Sequence, residues 1–128
     1  MTRPPLALVV AVAAGGAVGA LARYGVSVAA PGPWGTLGVN VAGCLAIGGL
    51  LQWLADHPTS SWSHRLARPA LGVGLLGGFT TFSTYAVESV ALARSGQAPA
   101  AVAHLLGTAV AAVVAVWAGA ALARAGRP

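Results

Sequence analysis

From Gly74 to Glu88 the chain reads G-L-L-G-G-F-T-T-F-S-T-Y-A-V-E. The stretch lies inside an apolar segment long enough to cross a bilayer, yet it carries the pair Gly77 and Gly78, five residues with hydroxyls, and an acid. Such polarity is costly at membrane depth, because backbone N–H and C=O groups in hydrocarbon need partners and irregular backbone survives only beneath protein or beside a watery cavity. Adjacent glycines weaken a helix by about 1 kcal/mol each relative to alanine, so a break near Gly77 to Thr80 is expected. A broken helix frees carbonyls that can hold a cation and donors that can hold an anion. The segment therefore reads as an ion site.

Composition agrees with a membrane setting. Of 128 residues, 57% are hydrophobic and 7% charged, with a mean hydropathy of +0.79, too little polar surface to coat a soluble globule. The net charge of +5 comes from seven arginines, without lysine, against Asp56 and Glu88. Nucleic-acid binding would gather these cations in a patch; here they flank apolar runs, where lipid headgroups lie. A single cysteine, Cys44, excludes an intrachain disulfide, and no cysteine–histidine spacing resembles a metal site. Cys44 reads as a small core residue.

Four spans follow in order, and the whole of 1–128 reads as one four-helix transmembrane domain. The first covers roughly Leu6 to Ala22, with Gly15 and Gly19 as a small-xxx-small pair suited to close helix contact. A secretory leader would look similar, but the apolar run exceeds a typical h-region. Arg23 and Tyr24 mark an interface, Pro31-Gly32-Pro33 a turn, and Trp34 a belt position. The second span, about Thr36 to Ala55, holds Asn40 one turn from Thr36 on the same face. Asn40 either binds two helices together or donates to a passing ligand. Asp56 to Arg68 is expected as a short polar loop, with His57 and His64 assigned no role. The third span, about Pro69 to Ala93, contains the stretch quoted above. The fourth, about Ala98 to Ala123, places His104 and Thr108 on one face.

The polar positions Thr36, Asn40, Thr80, Thr81, Ser83, Thr84 and Thr108 are expected on several faces, not one seam. Some would then face a second chain, and a two-fold dimer is the usual solution. Arginine placement favours termini inside, with Arg3, Arg65, Arg68, Arg124 and Arg127 on one side against Arg23 and Arg94 on the other. The bias is moderate, which leaves open insertion in both directions.

Three strings carry a family resemblance: G-G-A-V-G-A-L-A-R-Y at Gly15 to Tyr24, G-T-L-G-V-N-V-A-G at Gly35 to Gly43, and G-G-F-T-T-F-S-T-Y-A-V-E at Gly77 to Glu88. Over almost its whole length the chain resembles the Fluc (CrcB) fluoride channel family. The resemblance implies an all-α membrane protein with four transmembrane helices per chain, the third broken, assembled as an antiparallel, dual-topology dimer in the cell membrane. It implies passive export of fluoride, which lowers its cytoplasmic toxicity, and a structural sodium ion at the dimer centre. The sodium would be held by main-chain carbonyls matching Gly77 and Thr80. The fluoride path would use Asn40, Phe82 and Tyr85, with a polar track at Thr36, His104 and Thr108. Three positions depart from the usual pattern: Tyr85 stands where phenylalanine is common, His104 where tyrosine is common, and Ala112 offers no hydroxyl one turn beyond Thr108. The histidine makes pH sensitivity conceivable. Some relatives pair two different chains, so a heterodimer half stands beside the homodimer.

Physical chemistry makes these roles sensible. Fluoride is small and strongly hydrated, and its water must be replaced by donors such as the Asn40 amide and the hydroxyls of Thr36, Ser83 and Thr108. A ring has a positive edge and a negative face, so Phe82 would meet an anion edge-on, whereas Phe79 reads as packing. Arg23 and Glu88, the charges nearest the spans, are candidates for a vestibule; Glu88 reads equally well as a helix-end group, and Arg23 as snorkelling to phosphate. A proton-coupled drug exporter is the main rival, but it would want an acid in mid-span. No nucleophile–base pair suggests an enzyme.

Overall fold

The computed structural model describes residues 5–58 and 62–126, with side chains described for 5–58 and 65–126. The molecule is all-helical. Helix α1 spans Leu6–Ala29 and α2 spans Pro33–Asp56. The third span is composite: a short helix α3 (Trp62–Ala67), a π-helical run (Arg68–Leu76), a single turn α4 (Gly77–Phe79), an interruption, and then α5 (Ser83–Arg94). Helix α6 covers Ala98–Ala125. Four segments are long and apolar enough to cross a membrane, the third of them Arg65–Arg94. Helices of 24 residues are about 36 Å long and exceed the hydrocarbon thickness. This is a multi-pass membrane protein.

Two boundaries differ from expectation. Helix α1 continues through Arg23 and Tyr24 to Ala29, because neither residue breaks a helix and the first true stop is Pro31, ahead of Gly32 with its φ of 91°. Pro33 then opens α2, where its missing N–H costs nothing. The expected loop from Asp56 to Arg68 is partly helical: Trp62–Ala67 already runs into the third span. Arg3 and Arg127, counted above for orientation, and the side chain of His64 lie outside the described residues. Between α5 and α6 the turn closes on Gly96 at φ 82°. The Gly96 N–H donates to Ala93 O at 3.1 Å and the Gln97 N–H to Leu92 O at 3.0 Å, a Schellman ending that reverses the chain in three residues.

Small residues set the packing. Helix α1 lies along the π-helical run and α4, while α2 lies along α6, and α5 also rests on α6. A Cβ added at Gly15 or Gly19 would collide with the carbonyl of Ala70 or Leu75, and one at Gly78 with the backbone of Gly16. On the other side of the bundle, Gly48 abuts Val116 O and Gly119 abuts Leu45 O. Backbones this close gain dispersion and polar contact that larger side chains would forbid, which is how helices associate when lipid offers no hydrophobic gradient between them. Few large side chains are buried, and residues such as Leu21, Val73, Val113 and Trp117 point outward, as lipid-facing surface does.

Candidate functional site

The interruption in the third span falls at residues 80–82, at the far edge of the expected window. Gly77 and Gly78 do not break the helix themselves. They follow the π-helical run, Gly78 lets the span approach α1 at Gly16, and the chain leaves helical geometry at Thr80 (φ −73°, ψ 157°). The Thr80 N–H still donates to Leu76 O at 3.0 Å, as does its hydroxyl, also at 3.0 Å. Beyond it, Asn40 of α2 supplies what the helix no longer does. Its Nδ2 donates to Thr81 O at 2.9 Å and its Oδ1 accepts from Thr81 N at 2.8 Å. Gly43 makes this possible, since a Cβ there would strike the Thr80 methyl and hold α2 away. Thr81 Oγ1 then accepts from Thr84 N at 3.1 Å and starts α5.

Other groups freed by the break have different partners. Arg23 Nε donates to Gly78 O at 3.2 Å, so the arginine of α1 engages the break directly. For the carbonyls of Gly77 and Thr80, no donor is found among the described residues. Gly77 lies exposed on the surface of the chain. Two bare carbonyl oxygens of this kind fit a hard cation, which prefers oxygen ligands. No cluster of three His, Cys, Asp or Glu capable of holding a metal is present among the described residues.

Beside the break lies a cleft of about 210 Å³ whose wall includes Asn40, Cys44, Phe82, Tyr85 and Thr108. Asn40 and Tyr85 are buried, whereas Phe82 is 73% exposed and meets the Tyr85 ring edge-on at 5.0 Å between centroids. Cys44, expected in the core, is half-buried on this wall. Thr108 is only 2% exposed, and its Oγ1 has no hydrogen-bond partner. An unpaired hydroxyl in that position costs about 1 to 3 kcal/mol. Thr108 also borders a second cleft of about 320 Å³, lined by His104 and Trp34 among others.

Glu88 ties the elements together at one end. Its Oε1 accepts from the Thr36 hydroxyl at 2.8 Å, and its Oε2 lies 3.2 Å from His104 Nε2. The carboxylate is 19% exposed and the imidazole 9%. The His104 ring stands edge-on to Tyr85 at 6.3 Å. A smaller cleft of about 120 Å³, bordered by Arg23, Thr36, Thr81 and Thr84, lies alongside.

Although, as expected, not all of the set meets at one seam, the structure gathers most of the polar positions at one junction of α2, α5 and α6. The reason is the break: α5 restarts on a new axis, so Thr81, Thr84 and Glu88 all meet the Thr36–Asn40 face. Ser83 alone of the set points out, exposed and 3.5 Å from Thr81 Oγ1. Phe79 is half-buried and packs close to Gly43. Sequence reasoning missed the Asn40–Thr81 exchange, the Arg23–Gly78 contact and the Glu88–His104 pair. A signal for the last existed in matched four-residue spacings, Thr36–Asn40 on one helix and His104–Thr108 on another.

The pattern defining CrcB-like protein, Camphor Resistance (CrcB), matches residues 10–120. Fluoride-specific ion channel FluC 2 of Nocardia farcinica (strain IFM 10152) is 48% identical, the alignment covering 94% of this chain and 89% of that one. Fluoride-specific ion channel FluC 1 of Streptomyces coelicolor (strain ATCC BAA-471 / A3(2) / M145) is 46% identical over 91% of this chain and 75% of its own. Fluoride-specific ion channel FluC of Paracoccus denitrificans (strain Pd 1222) is 47% identical over 84% and 87%.

Proposed function

Because the chain belongs to the CrcB-like family, we propose that it is a fluoride-selective channel of the cell membrane, through which fluoride leaves passively and its cytoplasmic toxicity falls. The observation that carries this reading is the Thr108 hydroxyl, buried and unpartnered on the wall of the Asn40 cleft. A small, strongly hydrated anion gives up water only where donors replace it, and this hydroxyl is a donor with nothing else to do. Asn40 adds to it: one N–H is spent on Thr81 O, and the amide has a second. The Phe82 ring, exposed at the cleft, presents an electropositive edge. Thr36 donates to Glu88, and His104 hydrogen-bonds to it, so both shape the route through that acid.

We place a structural sodium ion on the carbonyls of Gly77 and Thr80. One chain offers two oxygens there; a second chain across a two-fold axis would complete four. When bound, the ion would neutralise partial negative charge at the break and lock two interrupted helices together. The exposure of Gly77 on the isolated chain supports an antiparallel dimer built around this point, a homodimer or a pair with a homologous chain. Proteoliposomes loaded with fluoride test the reading: rapid efflux with chloride nearly excluded is expected. Equal chloride flux, or a proton flux stimulated by cationic drugs and lost on Glu88→Gln, would overturn it.

A further inference from the structure

Glu88 and His104 form a pair that the proposed conduction of fluoride does not by itself require. Their Oε2 and Nε2 atoms are 3.2 Å apart, both side chains are largely withdrawn from solvent, and the second carboxylate oxygen is bound by the Thr36 hydroxyl. The pair lies one layer behind the Asn40 cleft, the route proposed above, without lining it itself. His104 precedes Thr108 by one turn on α6, its ring meets Tyr85 edge-on, and both Tyr85 and Thr108 line the Asn40 cleft.

We propose that Glu88 and His104 together bind one exchangeable proton inside the membrane, and that this proton, by cancelling the carboxylate charge beside the route, raises anion flux. The ligand of the site is the proton, and the proposal rests on the fluoride-channel reading.

The sign follows from charge counting. With the imidazole neutral, its Nε2–H donates to an ionised carboxylate, and the pair carries one negative charge beside an anion that must shed water. Like charges at low dielectric repel strongly. Taking up one proton on the imidazole brings the pair to zero while the hydrogen bond between them persists. Imidazole is the side chain whose charge ordinarily changes between about pH 5 and 8. The neighbouring groups do not mask this. Helix α2 contributes the hydroxyl of Thr36, α5 the phenol of Tyr85, and α1 the guanidinium of Arg23, which borders the cleft beside Thr36, donates to Gly78 O and, being permanently charged, adds the same constant field before and after the proton arrives.

The test is fluoride efflux from proteoliposomes at about pH 5.5 and about pH 8, values that bracket the imidazole range, with leak through protein-free vesicles subtracted. The wild-type chain should conduct several-fold faster at the acidic pH. His104→Gln and His104→Tyr each keep a donor for Glu88 but cannot charge, and the ratio between the two pH values should fall to about one. Glu88→Gln removes the carboxylate charge outright, so its flux at the alkaline pH should exceed the wild-type flux there, and an alkaline flux no higher than wild type overturns the proposal. Measurable wild-type flux that is flat with pH, or a pH dependence that survives in both His104 variants, overturns the proposal alone. Absence of fluoride flux at every pH from a folded wild-type protein overturns the channel reading, and the proposal with it.

Discussion

Asn40 and Thr81 exchange two hydrogen bonds, Nδ2 to O at 2.9 Å and Oδ1 to N at 2.8 Å, so one side-chain amide stands in for a missing helical turn. A side-chain amide does both at once without needing a proton from solution, since it offers a donor and an acceptor in one plane. The same residue faces the cleft, and the integrity of the break and the chemistry of the route therefore share one side chain.

Replacing Asn40 separates these roles. Asn40→Ala leaves the Thr81 N–H and C=O without partners and should destabilise the protein by about 1 to 3 kcal/mol, with efflux lost. Asn40→Asp keeps an acceptor for the N–H but loses the donor and adds charge. It should retain more thermal stability in detergent than Asn40→Ala while conducting no better. Equal wild-type flux in either variant would remove Asn40 from the route.

The glycines make a sharper prediction about packing. A methyl at Gly48 would meet Val116 O at the α2–α6 contact, so Gly48→Ala should cost about 1 to 3 kcal/mol and broaden the size-exclusion profile. Gly25, with nothing near its Cβ position, is the control. Gly25→Ala should be neutral or stabilising by up to about 1 kcal/mol. Similar melting temperatures for the two variants would show that the α2–α6 approach is looser than described.

The spans, the interrupted third helix and the Gly15–Gly19 contact were legible in sequence because each depends on local pattern: apolar length, paired glycines, small residues four apart. The precise seat of the interruption was not. Gly77 and Gly78 mark weakness, but the chain departs from the helix at Thr80 because Asn40, forty positions earlier, is there to receive Thr81. Arg23 looked like a helix end from its charge, whereas α1 continues past it and Gly78 O gives its guanidinium a partner. For the Glu88–His104 pair the four-residue spacings gave only the faces of α2 and α6, and the restart of α5 after the break, which brings Glu88 to them, was not in any spacing.

Thr108 offers a variant in which stability and function should move oppositely. Thr108→Val keeps the shape and removes a hydroxyl that is buried without a partner. Relieving that penalty should raise stability by about 1 kcal/mol, read as a higher melting temperature, while fluoride efflux falls several-fold. A drop in both would mean that the hydroxyl is satisfied in the assembled protein and serves the fold.

Thr80 separates main-chain from side-chain ligation at the proposed sodium site. Its hydroxyl donates to Leu76 O at 3.0 Å, a contact within its own helical turn, while its carbonyl is left bare. Thr80→Ala discards the first and keeps the second, so the ion should still bind. The measurement is the rise in melting temperature when sodium replaces a large organic cation in the buffer. Wild type and Thr80→Ala should show the same rise, with the variant's whole curve displaced slightly downward by the lost hydrogen bond. A sodium response present in wild type and gone in the variant would make the hydroxyl a ligand. No response in either would leave the bare carbonyls without the ion placed on them here.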